Sequence, residues 1–384
     1  MLVSSEFSRS LDDQVSINSP INIKNIHDFL NENAVAIQKE VLKISDTYAD
    51  ELFDYFFKEN KLRFPVTKHI ELFLLNNWGK IEKLVQYLTF RYKFYLVSSE
   101  KINLGFPPYL LLEPVSACNL RCPFCFQIDK SFTRKPYMGV MDFDLFKKVI
   151  DEADELGIGA VTLASRGEPT MHKKLSDMLY YMYSKSNIFE VKLNTNASFL
   201  TEDICNKIFK TQVTQVVVSA DHYEKTSFEK LRLGANFEAI VENVDMLYRI
   251  RKNYPNSVTE IRVSGVDSTK TLDRKKFHDF WIERADHVSA GYAIERWDTY
   301  NNTEHPEISQ ACDFLWDRMY VWFDGKSNPC DADYKSYLSY GSVKDSSIKD
   351  VWNGKVVREM RQKHLSGGRK NVDPCNKCGV TFGE

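Results

Sequence analysis

Residues 116–126 read Ser116-Ala117-Cys118-Asn119-Leu120-Arg121-Cys122-Pro123-Phe124-Cys125-Phe126, which sets three cysteines in the spacing CxxxCxxC. Cysteine thiolates are the usual protein ligands of iron–sulfur clusters, and a full set of four closes a four-iron cluster for electron transfer alone. Three local thiolates grip three irons and leave the fourth open to a small molecule, so a chain built this way has to deliver the loop to a pocket. Zinc is the competing reading for closely spaced cysteines, but zinc sites usually pair them two and two, and neither a second pair nor a histidine lies nearby.

The text around the motif supplies such a pocket. After Pro107-Pro108 the pattern predicts strands at Tyr109 to Pro114, Ala160 to Ala164, Phe189 to Leu193, Gln215 to Ser219, Glu260 to Gly265 and His287 to Ala290. Between them it predicts helices at Phe143 to Leu156, Lys173 to Ser184, Glu202 to Lys210, Phe237 to Lys252 and Arg274 to Arg284. That alternation argues for a parallel sheet of successive strand–helix units, with the site at the C-terminal ends of the strands. The cysteine loop directly follows the first strand. Before Pro107 the pattern from about Ile21 to Tyr95 is helical, broken near Phe64-Pro65, and its aromatic stripes read as core.

The motif, with Phe124 one residue before its last cysteine, resembles the signature of the radical S-adenosylmethionine (SAM) superfamily. The resemblance implies that Cys118, Cys122 and Cys125 hold a [4Fe-4S] cluster whose open iron chelates SAM, with Phe124 and Phe126 beside the cofactor. One electron from the cluster then cleaves SAM to a 5'-deoxyadenosyl radical, supplied by a donor such as flavodoxin or ferredoxin. Ser165-Arg166-Gly167-Glu168-Pro169 is similar to the family's GGEP motif, which implies that Gly167, Glu168 and Pro169 receive the SAM amino group. Arg166 stands where that motif has its first glycine. By the same resemblance Asn194 and Asn196 meet the ribose, Ser219 and Arg232 grip the SAM carboxylate, and the backbone at Gly265 meets adenine.

Of the eight cysteines, four lie beyond the last predicted strand: Cys312, then Gly325 after twelve residues, Cys330 after four more, and the pair Cys375 and Cys378. The Cx12Gx4C spacing resembles the opening of the SPASM extension, which binds auxiliary clusters. A full SPASM domain needs seven cysteines. Six residues after Cys378 the sequence given reaches Glu384, so the resemblance is to the shorter "twitch" form, with one auxiliary [4Fe-4S] cluster. Four thiolates would equally suit structural zinc. Asp331, next to Cys330, matches the position of a catalytic carboxylate in some SPASM enzymes and is the candidate general base. Cys205, alone on a helical pattern, reads as an inert buried thiol.

The expected architecture is therefore α/β: a partial (β/α)6 barrel over residues 106–300, an N-terminal helical domain over 1–105, and a SPASM/twitch-like module over 301–384. A formal charge of -2 marks no general nucleic-acid or membrane binder. With neither a signal-like start nor an apolar run long enough to span a bilayer, the expectation is a cytoplasmic protein. Four auxiliary cysteines favour net oxidation, most readily of an alcohol on a sugar, aminocyclitol or nucleotide-sugar, since the family's aminocyclitol alcohol dehydrogenase carries that type. The alternatives are a peptide or protein maturase and a non-catalytic cluster or zinc protein. Maturases often carry a three-stranded winged-helix leader-binding domain, and residues 1–105 read as helices instead. Tyr292, Glu295, Arg296 and Trp297 form a polar stretch that would suit a hydroxylated substrate.

Overall fold

The computed structural model describes residues 23–66, 68–77, 79–211, 213–292, 298–304 and 310–380. The chain divides into two compact units, one up to Leu104 and one from Gly105 on.

Among its described residues the first unit is helical, with α1 (Ile23–Glu32), α2 (Ala34–Ile44), α3 (Thr47–Glu59), α4 (Lys68–Asn76) and α5 (Ile81–Ser99). The apolar positions at helical spacing are its core: Ile37, Val41, Leu52, Phe53, Phe56, Leu84, Val85 and Leu88 are all buried. Asp46 starts α3 by accepting the Tyr48 N–H at 2.9 Å, and the chain breaks between α3 and α4 around Phe64-Pro65.

The second unit begins with β1 (Tyr109–Leu112), followed by β2 (Ala160–Leu163), β3 (Glu190–Thr195), β4 (Gln215–Ser219), β5 (Glu260–Asp267) and β6 (His287–Tyr292). All six pair in parallel in chain order, with Leu111 opposite Thr162 and Ser219 opposite Ser264. Parallel strands covered by helices are buried on both faces, which is why β1 and most of β4 read as apolar runs, and why β1, β2 and most of β4 are buried. The crossover helices are α6 (Phe143–Leu156), α7 (Leu175–Tyr183), α8 (Glu202–Lys210), α9 (Lys225–Leu231), α10 (Phe237–Arg251) and α11 (Arg274–Trp281). Asp142, Thr201, Asn236 and Asp273 cap four of them. Thr201 and Asp273 fix helix starts shortly after β3 and β5 have ended, which gathers polar turns at that end of the sheet.

The sheet does not stop at β1. Beyond α12 (Phe314–Asp317), β7 (Met319–Val321) pairs with β1 in parallel, Leu110 opposite Met319 and Leu112 opposite Val321. Two antiparallel strands, β8 (Lys326–Asn328) and β9 (Gly341–Ser342), complete a nine-stranded sheet of order β6-β5-β4-β3-β2-β1-β7-β8-β9. The C-terminal strands thus cover an edge that the first six would leave unpaired. Gly325, at φ +85°, makes the β7–β8 turn, donating to Trp322 O at 2.9 Å in a conformation that favours glycine. Helices α13 (Ile348–Trp352) and α14 (Lys355–Lys363) follow and pack into the same hydrophobic core through Ile348, Val351, Trp352, Val357 and Met360.

Candidate functional site

Cys118, Cys122 and Cys125 lie in the loop between β1 and α6, each partly exposed. Burial pushes the Cys122 thiol up to about 11 and Cys125 up to about 12, and each also feels the charge of its neighbouring thiols. Three such thiols ionise readily only when a cation binds between them. Cys118 Sγ receives the Leu120 N–H at 3.4 Å and Asn196 Nδ2 at 3.7 Å, and Asn196 also donates to Asn119 Oδ1 at 2.9 Å. The end of β3 is thereby tied to the cysteine loop.

Around that loop the strand ends leave unsatisfied polar atoms. Among the described residues, Ser165 Oγ after β2, Asn194 Oδ1 in β3 and Arg232 Nε after α9 are buried without a hydrogen-bond partner. Buried polar atoms are nearly always paired, so these orphans, of which Arg232 lies within electrostatic reach of Cys122 and Cys118, fit a polar ligand. Ser165, at φ +93°, is also strained for a residue with a side chain. Nothing in its sequence position singles it out.

Gly167 sits where a Cβ would lie 2.1 Å from Val115 O and 2.5 Å from Ala117 O, so only glycine lets the β2 turn close on the cysteine loop. Glu168 is buried and accepts from Thr170 N (3.0 Å), Thr170 Oγ1 (2.5 Å), Thr195 Oγ1 (2.7 Å) and Asn196 N (2.7 Å). Burial raises its pKa, opposed by those four bonds. Its carboxylate therefore staples the ends of β2 and β3, with Pro169 opening the short 3-10 turn behind it. Arg232, expected beside a carboxylate, is paired with buried Asp221 at 2.8 Å and lies within electrostatic reach of Cys122 and Cys118. Ser219 is the last residue of β4 and partly exposed.

The fifth strand continues past its predicted end at Gly265. β5 runs on to Asp267, paired with β6 as far as Tyr292, so Gly265 lies inside the strand. A Cβ there would meet Ala220 O at 2.6 Å and Phe277 at 2.8 Å. Phe124 is partly buried, while Phe126 is buried and stacks on Tyr334 with ring centroids 5.1 Å apart. Tyr292 is exposed against Arg274, and Glu295, Arg296 and Trp297 fall outside the described residues.

Arg166 has a specific structural role. Its guanidinium is buried, forks onto Glu113 at 2.5 and 2.6 Å, donates to Tyr334 O at 2.8 Å and lies 4.1 Å over the Trp322 ring. The residue that departs from the GGEP pattern thus bridges the ends of β1 and β2 to the segment after Cys330. Gln127 reinforces the joint by donating to Ser116 O at 2.7 Å and to Arg166 O.

Cys312, Cys330, Cys375 and Cys378 line one cavity together with Asp331, Asp333 and Arg369. His364 Nδ1 accepts the Cys312 N–H at 3.2 Å; burial and nearby Arg369 lower its pKa to about 4, so the ring is neutral at pH 7. Burial pushes the Cys312 thiol up to about 12 and lifts Cys330 and Cys375 well above the ordinary range. Among the described residues no three His, Cys, Asp or Glu side chains converge on a single-ion position. The fit of each cysteine set therefore rests on its donor chemistry and shared surroundings.

Asp333 is the candidate that sequence reasoning missed, its only signal being the Cys330-Asp331-Ala332-Asp333 repeat of carboxylates. Burial raises its pKa to about 6. Both oxygens are occupied, by Tyr300 Oη (2.9 Å), Tyr337 N (2.9 Å), Leu338 N (2.8 Å) and Asn328 Nδ2 (3.1 Å). It holds the cysteine loop in shape, and Asp331 remains the candidate for proton transfer.

Among the described residues no helix is long and apolar enough to cross a membrane. The family model of the radical SAM superfamily matches residues 112–263, and that of the SPASM iron–sulfur cluster-binding domain matches residues 312–379. The chain is 25% identical over 292 residues to the tungsten-containing aldehyde ferredoxin oxidoreductase cofactor-modifying protein of Pyrococcus furiosus, covering 64% of this chain and 80% of that one. It spans about half the length of the GTP 3',8-cyclases it also matches. Its fold is similar to Streptococcus suis SuiB bound to the precursor peptide SuiA, with TM-score 0.55 and 15% identity over 93% of this chain and 86% of that one. It is also similar to BtrN in complex with AdoMet and 2-DOIA, with TM-score 0.50 and 17% identity over 72% of this chain and 94% of that one. The cofactors are those of these domains, a [4Fe-4S] cluster with SAM in the barrel and auxiliary iron–sulfur in the C-terminal domain. The chain belongs to the radical SAM superfamily and carries a C-terminal SPASM-type iron–sulfur domain.

Proposed function

We propose that this radical SAM enzyme oxidises an alcohol of a sugar, aminocyclitol or nucleotide-sugar to a carbonyl. The observation that carries the reading is the four-cysteine cavity, a donor set able to close one auxiliary cluster completely and so reserve it for electron transfer. When bound, the two cofactors supply a hydrogen-abstracting radical at the barrel and a one-electron acceptor at the C-terminal domain. For the substrate the balance is a hydrogen atom lost from carbon, a proton lost from the hydroxyl and one electron, leaving C=O.

In this proposal Cys118, Cys122 and Cys125 hold the SAM-binding cluster, and Cys312, Cys330, Cys375 and Cys378 hold the auxiliary one. Asn194, Asn196 and Ser219 orient SAM from the strand ends, and Arg232 from the end of α9. Gly167 and Glu168 act by keeping the β2 and β3 turns closed on the cysteine loop. Asp331 Oδ takes the hydroxyl proton. A low-potential carrier such as a flavodoxin or ferredoxin supplies the first electron, and the described residues from Ile23 to Leu104 form a separate helical domain.

One observation favours a second reading, a peptide-modifying enzyme. The likeness to the SuiB–SuiA complex extends over 93% of this chain, against 72% for BtrN, and so reaches into the N-terminal residues. The test incubates anaerobically reconstituted protein with SAM, a reductant and a panel of aminocyclitols, sugars and nucleotide-sugars. A carbonyl product in step with 5'-deoxyadenosine is the expected result. Deoxyadenosine without any two-electron-oxidised product would count against the alcohol reading.

A further inference from the structure

The auxiliary cavity has a buried cation in its wall. Arg369 is 1% exposed and lines the cavity with all four cysteines. Its guanidinium stands within electrostatic reach of Cys312, Cys378 and Cys375. It is held in place by Nη2, which donates to Val380 O at 2.6 Å and Cys378 O at 3.4 Å. The chain just past the CxxC pair thus clamps the charge beside the sulfurs. Tyr340 adds a buried hydroxyl that has no hydrogen-bond partner among the described residues, the sulfurs included, and lies within electrostatic reach of Cys330, Cys312 and Cys375. The opposing charges nearby are Asp331, Asp333 and Asp313, and Asp333, raised by burial to about 6, stays mostly ionised at pH 7.

A cluster held by four thiolates is anionic, and reduction adds one more negative charge. A cation buried beside it favours the reduced form over the oxidised one, and a hydrogen bond to sulfur acts in the same direction. We propose that Arg369, assisted by the Tyr340 hydroxyl, sets the reduction potential of the auxiliary cluster high enough for it to act as an electron acceptor. Arg369 is a positioning residue in this sense, acting on the reaction through the cluster. The inference rests on the reading of the four cysteines as a closed cluster site.

The test uses the full chain with Cys118, Cys122 and Cys125 changed to alanine, so that only the auxiliary site can hold iron, and follows redox titration by paramagnetic resonance. Arg369→Gln is expected to weaken reduction at least tenfold, a fall of 59 mV for a one-electron couple. Arg369→Lys, which keeps the charge, stays within that margin, and Tyr340→Phe weakens reduction about threefold. Iron retained in Arg369→Gln with a change below tenfold overturns the proposal. If Arg369→Gln loses its iron, the other two variants decide. A Lys variant within tenfold and a lowered Phe variant support the proposal; a Lys variant lowered tenfold or more, or an unchanged Phe variant, overturns it. Absence of iron from the alanine parent itself defeats the cluster reading, a result distinct from iron present with an unmoved potential.

Discussion

Replacing Arg166 with the glycine of the family motif should damage this chain. The Glu113 carboxylate beside it is 0% exposed and the Arg166 side chain 2% exposed. Arg166→Gly removes two charged hydrogen bonds to Glu113, one to Tyr334 O and the stacking over Trp322, leaving Glu113 with the Phe323 N–H at 3.3 Å. Breaking a buried ion pair by deleting one partner costs about 3–5 kcal/mol. With a urea slope of about 3 kcal/mol per molar for a unit this large, the midpoint falls by at least about 1 M. Tryptophan fluorescence of the reconstituted full chain follows the transition, Trp322 being one of its six tryptophans. Burial raises the Glu113 pKa, and losing Arg166 raises it further, so protonation relieves part of the cost at low pH and the deficit grows as pH rises. The double variant Glu113→Gln with Arg166→Met, which strands no charge, should recover about 2 kcal/mol or more. A single-variant loss below about 1 kcal/mol, or a double variant no better than the single, would refute this account of the joint.

Further consequences are open to direct measurement. Asp331→Asn should still cleave SAM but lose substrate oxidation by about 100-fold or more, the usual range for a positioned base; full activity would remove Asp331 from the chemistry. Gly167→Ala places a Cβ 2.1 Å from Val115 O, so the turn must move. We expect a loss of about 1–3 kcal/mol in stability and a weaker SAM dissociation constant by calorimetry, and an unchanged affinity would contradict the close-packed turn. Asp129 is partly desolvated, yet hydrogen bonds from Lys335, Ser131 and Tyr334 outweigh that and hold its carboxyl below the usual range. A depressed carboxylate contributes stability above its unfolded pKa and loses it as pH falls through the folded one. Asp129→Asn should therefore narrow the stability difference between about pH 6 and pH 3; parallel curves for variant and parent would refute the assignment.

The barrel was legible because its signals are local. Unbroken apolar strands, capped crossover helices and the cysteine loop after β1 need only a few consecutive residues to be recognised. The apolar helical pattern before Pro107 read as core for the same reason, and Ile37, Val41, Leu52, Phe53, Phe56, Leu84, Val85 and Leu88 are buried. What stayed hidden depends on contacts distant in sequence. The pairing of β7 with β1 joins Met319 to Leu110, and no short window contains both. The fate of Arg166 was equally opaque, since its partners Glu113 and Tyr334 lie 53 and 168 residues away. Glu168 and Gly265 read as SAM contacts by family resemblance; the further bonds of Glu168 to Thr195 and Asn196, and the continuation of β5 past Gly265, needed the fold to be seen. Ser165 lacked any signal and Asp333 had only the carboxylate repeat beside Cys330, because strain and burial are properties of the fold.

The most direct test of the central claim measures iron content and the paramagnetic resonance spectrum of the anaerobically reconstituted Cys118→Ala, Cys122→Ala, Cys125→Ala variant. With the barrel cluster gone, the four-cysteine cavity should retain about four irons per chain as one closed cluster, which is paramagnetic when reduced. No iron, with about one zinc in its place, would contradict the account and remove the electron acceptor on which the proposed oxidation depends.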